Sequence, residues 1–400
     1  MDRKRTAWAV MAAAFLGGVA VAVNQFKVPP VMQTLMAEFQ VDMSTGGWFM
    51  SVFALAPIAL GIPAAFLLVR LGPKVAGLIA LACTVVGSAV GALAPNSAVL
   101  LAGRLIEGLS LTLMAVVAPA AISLWFEPQE RGLPMGIWAA WVPLGNVIAL
   151  NAASPLLHSF GWRSVWWFGT IFALAAAVLF GLVVDVPHRP KAGEATASST
   201  SPRWGQMLLT PSTWLLALAF ATLSFCLIGY NTWAPFFLTE TLRVAGATAS
   251  FYASLLFLAG IPGNIAAGWL LNRISNRYRL LSLAFLLTAI LFAWSFRLGS
   301  VGTLVPYMVL LGFVSNFAPT SIFTLAPETM GRAEYAGLSM AVILVGSSVG
   351  VLLGPPLMGS ALSGGRWALG SVYLVAVTAV GFVATLVAAR RQKPVKTSGV

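Results

Sequence analysis

Twelve apolar stretches, each close to the ~20 residues a helix needs to cross a hydrocarbon core, take up almost the whole chain. They lie near 8–34, 45–69, 75–95, 98–124, 133–157, 164–185, 212–238, 248–271, 280–296, 302–325, 335–361 and 367–389. A backbone in lipid must satisfy its own hydrogen bonds, so segments this long and apolar are helices. The fold this predicts is an all-α integral membrane protein with 12 transmembrane helices.

The basic residues fall into every second gap. One set of gaps holds 17 of them, from Arg3, Lys4 and Arg5 to Arg390, Arg391, Lys393 and Lys396, and the other holds Lys27, Arg163, Arg243, Arg297 and Arg366. Lysine and arginine accumulate on the cytoplasmic side, so both termini and the central loop are expected there.

Composition narrows the function. The chain is 59% hydrophobic and 8% charged, with a mean hydropathy of +0.90, where a soluble domain has about 25% charged residues. The net charge of +12 could suggest nucleic acid, but the basic residues sit beside helix ends. Anionic lipid headgroups explain that placement better, and no nucleic-acid partner is expected. The basic start, Met1 to Arg5, precedes an apolar run too long for a signal peptide, so it is taken as an uncleaved first helix. Cys83 and Cys226 lie inside apolar stretches as packing residues. With no metal-ligand cluster, catalytic triad or phosphate loop, neither an enzyme, a metal nor a cofactor is expected.

Residues 186–211 form the long polar linker, rich in Pro, Ser, Thr and Ala, between an N-terminal bundle (1–185) and a C-terminal bundle (212–400) of six helices each. The halves echo each other at an offset of just over 200 residues. Pro29 matches Pro235, and Arg70 matches Arg273. Gly132, Leu133 and Met135 match Gly337, Leu338 and Met340, and Gly161-Trp162-Arg163 is like Gly365-Arg366-Trp367.

On these residues the chain resembles the major facilitator superfamily, whose two six-helix halves are related by an axis along the membrane normal. The family's loop G-x-x-x-D-R-x-G-R-[KR] has a counterpart in Ala65 to Lys74, with Arg70, Gly72 and Lys74 retained and Val69 in place of the acid. A second copy runs from Gly268 to Arg277, with Arg273 and Arg277 retained and Asn272 replacing the acid. The resemblance implies a latch in these loops, here weaker or differently built. Arg104 and Gly108 match the R-x-x-x-G pattern of helix four, and Glu127 to Gly132 is similar to the family's approach to helix five. Helix five lacks the drug–proton antiporter signature; Val142-Pro143-Leu144-Gly145-Asn146 is as near as it comes. The general texture is similar to the cyanate and nitrate/nitrite branches, but the nitrate porters' arginines inside helices two and eight have no counterpart.

The resemblance implies transport by rocking of the halves about a mid-membrane site lined by helices 1, 4, 7 and 10. Polar groups there are candidates, because they are costly in lipid. Arg104 and Glu107, three apart on one helix face, form either a structural ion pair or a working one in which Arg104 holds an anion and Glu107 carries a proton. Lys27, with Asn24 and Gln25 before it and Pro29-Pro30 after it, either meets a substrate carboxylate or snorkels to the outer headgroups. In helix seven Tyr230, Asn231 and Trp233, and in helix ten Asn316, are substrate-binding candidates, against interfacial or packing roles. Asn146, Asn151, Ser347 and Ser348 are weaker ones.

Lys27 and Arg104 against Glu107 leave one net positive charge. That balance predicts a secondary active transporter of a small or organic anion, by proton symport or exchange, in a bacterial inner membrane. Its partners are the solute, protons and lipid, and the resemblance implies a monomer. One alternative is a proton-driven exporter of hydrophobic compounds, given 14 Trp and 24 Phe beside the acid Glu107. Another is a non-transporting membrane sensor, which the short tail after Ala389 disfavours.

Overall fold

A computed structural model describes residues 3–127, 130–184, 210–274, 276–329 and 336–391; they are helical throughout, with no strand among them. The first half holds α1 (Arg3–Phe26), α2 (Met32–Phe39), α3 (Met43–Ser51), α4 (Leu55–Ala92), α5 (Ser97–Trp125), α6 (Gly132–Ala139), α7 (Trp141–Phe160) and α8 (Trp162–Val183). The second holds α9 (Pro211–Thr241), α10 (Gly246–Leu271), α11 (Arg277–Phe292), α12 (Val301–Ser315), α13 (Phe317–Leu325), α14 (Ala336–Leu362) and α15 (Trp367–Arg391). The expected linker falls outside the described residues up to Thr210.

Among the described residues eleven spans are long and apolar enough to cross a membrane. The ninth crossing is α11, whose 16 residues make about 24 Å. Turns through Phe296 extend it, with Ala293 N–H on Ala289 O and Trp294 N–H on Leu291 O. Large apolar side chains such as Ile171, Leu182 and Ile265 stand exposed around the bundle, as a surface facing lipid requires.

Four crossings are built from two helices, the first (α1 and α2), second (α3 and α4), fifth (α6 and α7) and tenth (α12 and α13), and the breaks in the first, fifth and tenth have the same cause. A proline at position i has no N–H for the carbonyl at i−4 and its ring crowds it. α1 stops at Phe26, four before Pro30; α6 stops at Ala139, four before Pro143; α12 stops at Ser315, four before Pro319. α4 completes the second crossing, begun by α3, and contains the third, the two separated at Gly72, whose φ of 76° and ψ of 166° suit glycine. Gly161 (φ 78°) and Gly365 (φ 73°) make the matching turns after the fifth and eleventh crossings, so that sequence echo is also a backbone one.

An even number of crossings brings both termini to one face. At the opposite, far face the halves meet closely. α3 packs on α14, where Gly47 abuts the backbone of Pro355 and Pro356 and Gly359 abuts the Met43 carbonyl. α7 packs on α10, with the Asn151 amide donating to Ser254 Oγ at 3.2 Å. Phe26 and Phe257 add a ring contact at 5.1 Å between the same halves.

Candidate functional site

A three-charge cluster lies inside the first half. Arg104 and Glu107 sit on one side of α5, and Lys27 lies in the break between α1 and α2. Glu107 Oε1 accepts from Lys27 Nζ at 2.6 Å, and Oε2 accepts from Arg104 Nη1. All three residues are essentially fully buried, at 0–1% exposure, in a region where a lone charge costs roughly 2.5–3.5 kcal/mol.

Every donor of Lys27 is used. Besides Glu107, its ammonium donates to Asn24 Oδ1 at 2.8 Å and Ser88 Oγ at 2.7 Å, and Ser88 passes a bond on to Trp166 O. The Nζ also lies 4.8 Å from the centre of a Trp166 ring, within cation–π reach. Asn24 is itself held, its amide donating to Ala20 O at 2.9 Å and Gly169 O at 3.1 Å.

Arg104 closes the broken end of α1. In a continued helix the Gln25 carbonyl would accept from position 29, which is proline and has no N–H. Arg104 Nη2 supplies that bond at 3.0 Å, Nη1 donates to Asn24 O at 2.5 Å, and Nε donates to Phe49 O at 2.9 Å. A cation at a helix C-terminus also meets the negative end of its dipole. Gly87 and Gly103 let α4 approach α5 here: a Cβ on Gly87 would lie 2.7 Å from Glu107 Cγ.

The Lys27 head is buried, and its hydrogen-bond partners, Glu107, Asn24 and Ser88, all lie in the first half. Asn24 and the Gln25 carbonyl belong to the same network. In the second half, Tyr230 donates to Ser295 O at 3.3 Å, Trp233 Nε1 to Pro355 O at 2.9 Å and Asn316 to Gly312 O at 2.8 Å, all within that half. Ser347 likewise pairs with Ser224, and Ser348 with Leu344 O. Asn231 is the exception: its Oδ1 accepts from Asn146 across the two halves.

The latch loops carry no acid. Among the described ion pairs are Lys4–Glu130 and Arg163–Glu38 at the surface, but none through Arg70 or Lys74. Arg70 is exposed, Lys74 is half-buried, Arg273 stacks on Trp269 at 3.9 Å, and Arg277 opens α11. Sequence reasoning missed Ser88, Trp166, Phe49 and the glycines 87, 103 and 169. Their signal was faint, because small residues and tryptophans are scattered through every crossing.

Residues 14–343 match the profile of the Major Facilitator Superfamily. Over 42% of the chain it is 28% identical to the uncharacterised transporter YhcA of Bacillus subtilis, an alignment spanning 33% of that protein. It is 25% identical over 81% of its length to NiaP of Bacillus subtilis, named as a candidate niacin/nicotinamide transporter, covering 82% of that protein. A solved bacterial homologue of the human lysosomal transporter Spinster, in an inward-facing and occupied conformation, superposes with a TM-score of 0.78 at 19% identity, over 96% of this chain and 98% of that one. That likeness shows the fold, and the profile match shows the kinship. The chain belongs to the Major Facilitator Superfamily and is a secondary transporter, not an enzyme.

Proposed function

We propose that the protein carries a small organic anion, coupled to proton movement through Glu107, across a bacterial inner membrane with its termini in the cytoplasm. The observation that carries this reading is the buried cluster itself, in which two cations, Lys27 and Arg104, face one carboxylate. One positive charge is left uncompensated in a medium of low dielectric, where its attraction for an anion far exceeds that in water. Protonation of Glu107 adds a second positive charge, so a proton and a monovalent anion enter as an electrically neutral pair.

The cluster also has the means to respond. Lys27 and the carbonyls held by Arg104 lie at the α1–α2 break, a joint whose backbone bonds are already interrupted. Movement there changes the distances from both cations to Glu107 together. The name of NiaP agrees with an anionic solute, since niacin is a small carboxylic acid. The charge bias between alternate loops supports the orientation.

The test is uptake of radiolabelled small carboxylates into proteoliposomes under an imposed pH gradient. The expected result is gradient-driven uptake that Glu107→Gln abolishes while counterflow exchange persists. The double substitution of Glu107→Gln with Lys27→Met, which keeps one net positive charge, serves where the single variant does not fold. Gradient-driven uptake that survives both variants sinks Glu107 as the proton carrier. Failure to move any carboxylate sinks the anion reading.

A further inference from the structure

A second buried polar group, at the boundary between the halves, has one unused atom. Asn231 on α9 donates from Nδ2 to the Ala253 carbonyl at 3.3 Å, which fixes its orientation and turns Oδ1 toward the first half. Asn146 on α7 donates from Nδ2 to that oxygen at 3.1 Å. This leaves Asn146 Oδ1 without a donor, although the residue is 0% exposed and Asn231 is 1% exposed. Rotating the Asn146 amide does not help, because it would set two acceptor oxygens against each other. An unpaired acceptor in a buried site is destabilising.

The depth of the pair is informative. Asn231 is ten residues from the far end of α9 at Thr241, and Glu107 is ten residues from the far end of α5 at Ser97. At 1.5 Å per residue both lie about 15 Å in from the far face. Gly145, next to Asn146, lies against Ala22 and Val23 of α1, just ahead of the Asn24–Lys27 segment that joins the charge cluster. The amide pair and the cluster are thus two polar centres at one level, the first bridging the halves and the second inside one of them.

We infer that Asn146 Oδ1 is a recognition acceptor for a neutral N–H or O–H group on the transported anion, taken up as the Asn146–Asn231 bond opens. The inference rests on the anion reading above and narrows it: the solute class is a small carboxylate bearing a hydroxyl or amide donor a few bonds from its charge. A site with a buried acceptor rejects the analogue that lacks the donor, because the acceptor is then left unpaired.

Matched pairs of labelled acids in proteoliposomes test this: L-lactate against propionate, and 3-hydroxybutyrate against butyrate. Wild type is expected to favour the hydroxylated member of at least one pair by about tenfold or more. Asn146→Leu is expected to bring uptake of that member down to the level of its deoxy partner. The same variant removes the unpaired Asn146 oxygen but leaves Asn231 Oδ1 without its donor, so its unfolding temperature is expected at or somewhat below that of wild type, and the ratio of hydroxylated to deoxy uptake decides the inference. Asn146→Ala takes its place if Asn146→Leu gives no monodisperse protein. No hydroxyl preference in wild type, or a preference that survives at position 146, overturns the inference while leaving the anion reading intact. Transport of none of the four acids overturns the inference, and the anion reading falls with it only if no other carboxylate is moved.

Discussion

Replacing one member of the Lys27–Glu107–Arg104 cluster leaves a different remainder buried in each case. Lys27→Met leaves Glu107 with Arg104 as a neutral pair, and the groups that lose a donor are Glu107 Oε1, Asn24 Oδ1 and Ser88 Oγ. Arg104→Met strips partners from the Asn24, Gln25 and Phe49 carbonyls as well as from Glu107. Glu107→Gln leaves two cations facing each other, and an unmatched buried charge costs about 3–5 kcal/mol. The expected order of unfolding temperature in detergent is therefore wild type, Lys27→Met, Arg104→Met, Glu107→Gln, from highest to lowest. Lys27→Met proving as damaging as Glu107→Gln would contradict this charge accounting. The sequence exposes part of the site. Arg104 and Glu107 are readable because a three-residue spacing on a helix fixes their relation locally. The link from Lys27 to Glu107 is not, because it joins positions 80 residues apart through a helix break whose direction no local pattern sets. Ser88 and Gly87 are hidden for another reason: glycine and serine are common in all the crossings, and nothing marks the pair that touches the acid.

At the scale of elements, prolines set where the crossings bend, but only some of them do. Pro30, Pro143 and Pro319 each end a helix four residues earlier, whereas Pro235 and Pro262 sit inside continuous helices. The seventh crossing is therefore continuous although its Pro235 matches Pro29, and the tenth breaks at Asn316, ahead of its proline. The α3–α14 contact at the far face depends on glycine instead. Gly359 lies against the Met43 carbonyl and Gly47 against the Pro355–Pro356 backbone, so neither position has room for a side chain. Gly359→Val is expected to hold α3 and α14 apart, with reduced counterflow and faster labelling of a cysteine at Ser44 by a membrane-impermeant thiol reagent. Unaltered labelling would mean that this contact is not what closes the far face. α3 also begins with an N-cap, Asp42 Oδ1 accepting from Thr45 N–H at 2.8 Å; the Thr45 hydroxyl and then this N–H hold the Asp42 carboxyl below its usual range. That cap contributes above the ordinary aspartate pKa of about 3.9 and is lost as pH falls through the depressed value.

For the molecule as a whole, the alternation of apolar stretches and basic gaps already contains the two-bundle architecture, because lipid leaves the backbone no choice but helix. Among the described residues α11 is the crossing that falls short, since its chain leaves the helix after Phe292 and finishes in turns, a change that hydropathy does not register. How the halves lie against each other is absent from the sequence: it depends on contacts such as Ser254 with Asn151, whose partners are more than a hundred residues apart. Those contacts bring the halves together at the face opposite the termini, and alternating access requires them to part. α7 and α10 offer a place to prevent it. A Cβ on Gly246 would lie 3.7 Å from Ser154 Oγ, close to the separation a disulfide needs after a small adjustment. The pair Ser154→Cys and Gly246→Cys, in a background lacking Cys83 and Cys226, is expected to cross-link on oxidation and to stop both uptake and counterflow, with dithiothreitol restoring them. The single cysteine variants are expected to ignore the oxidant. Uptake that continues while the cross-link is complete would show that α7 and α10 stay together through the cycle, and that the far face opens, if at all, along α3 and α14.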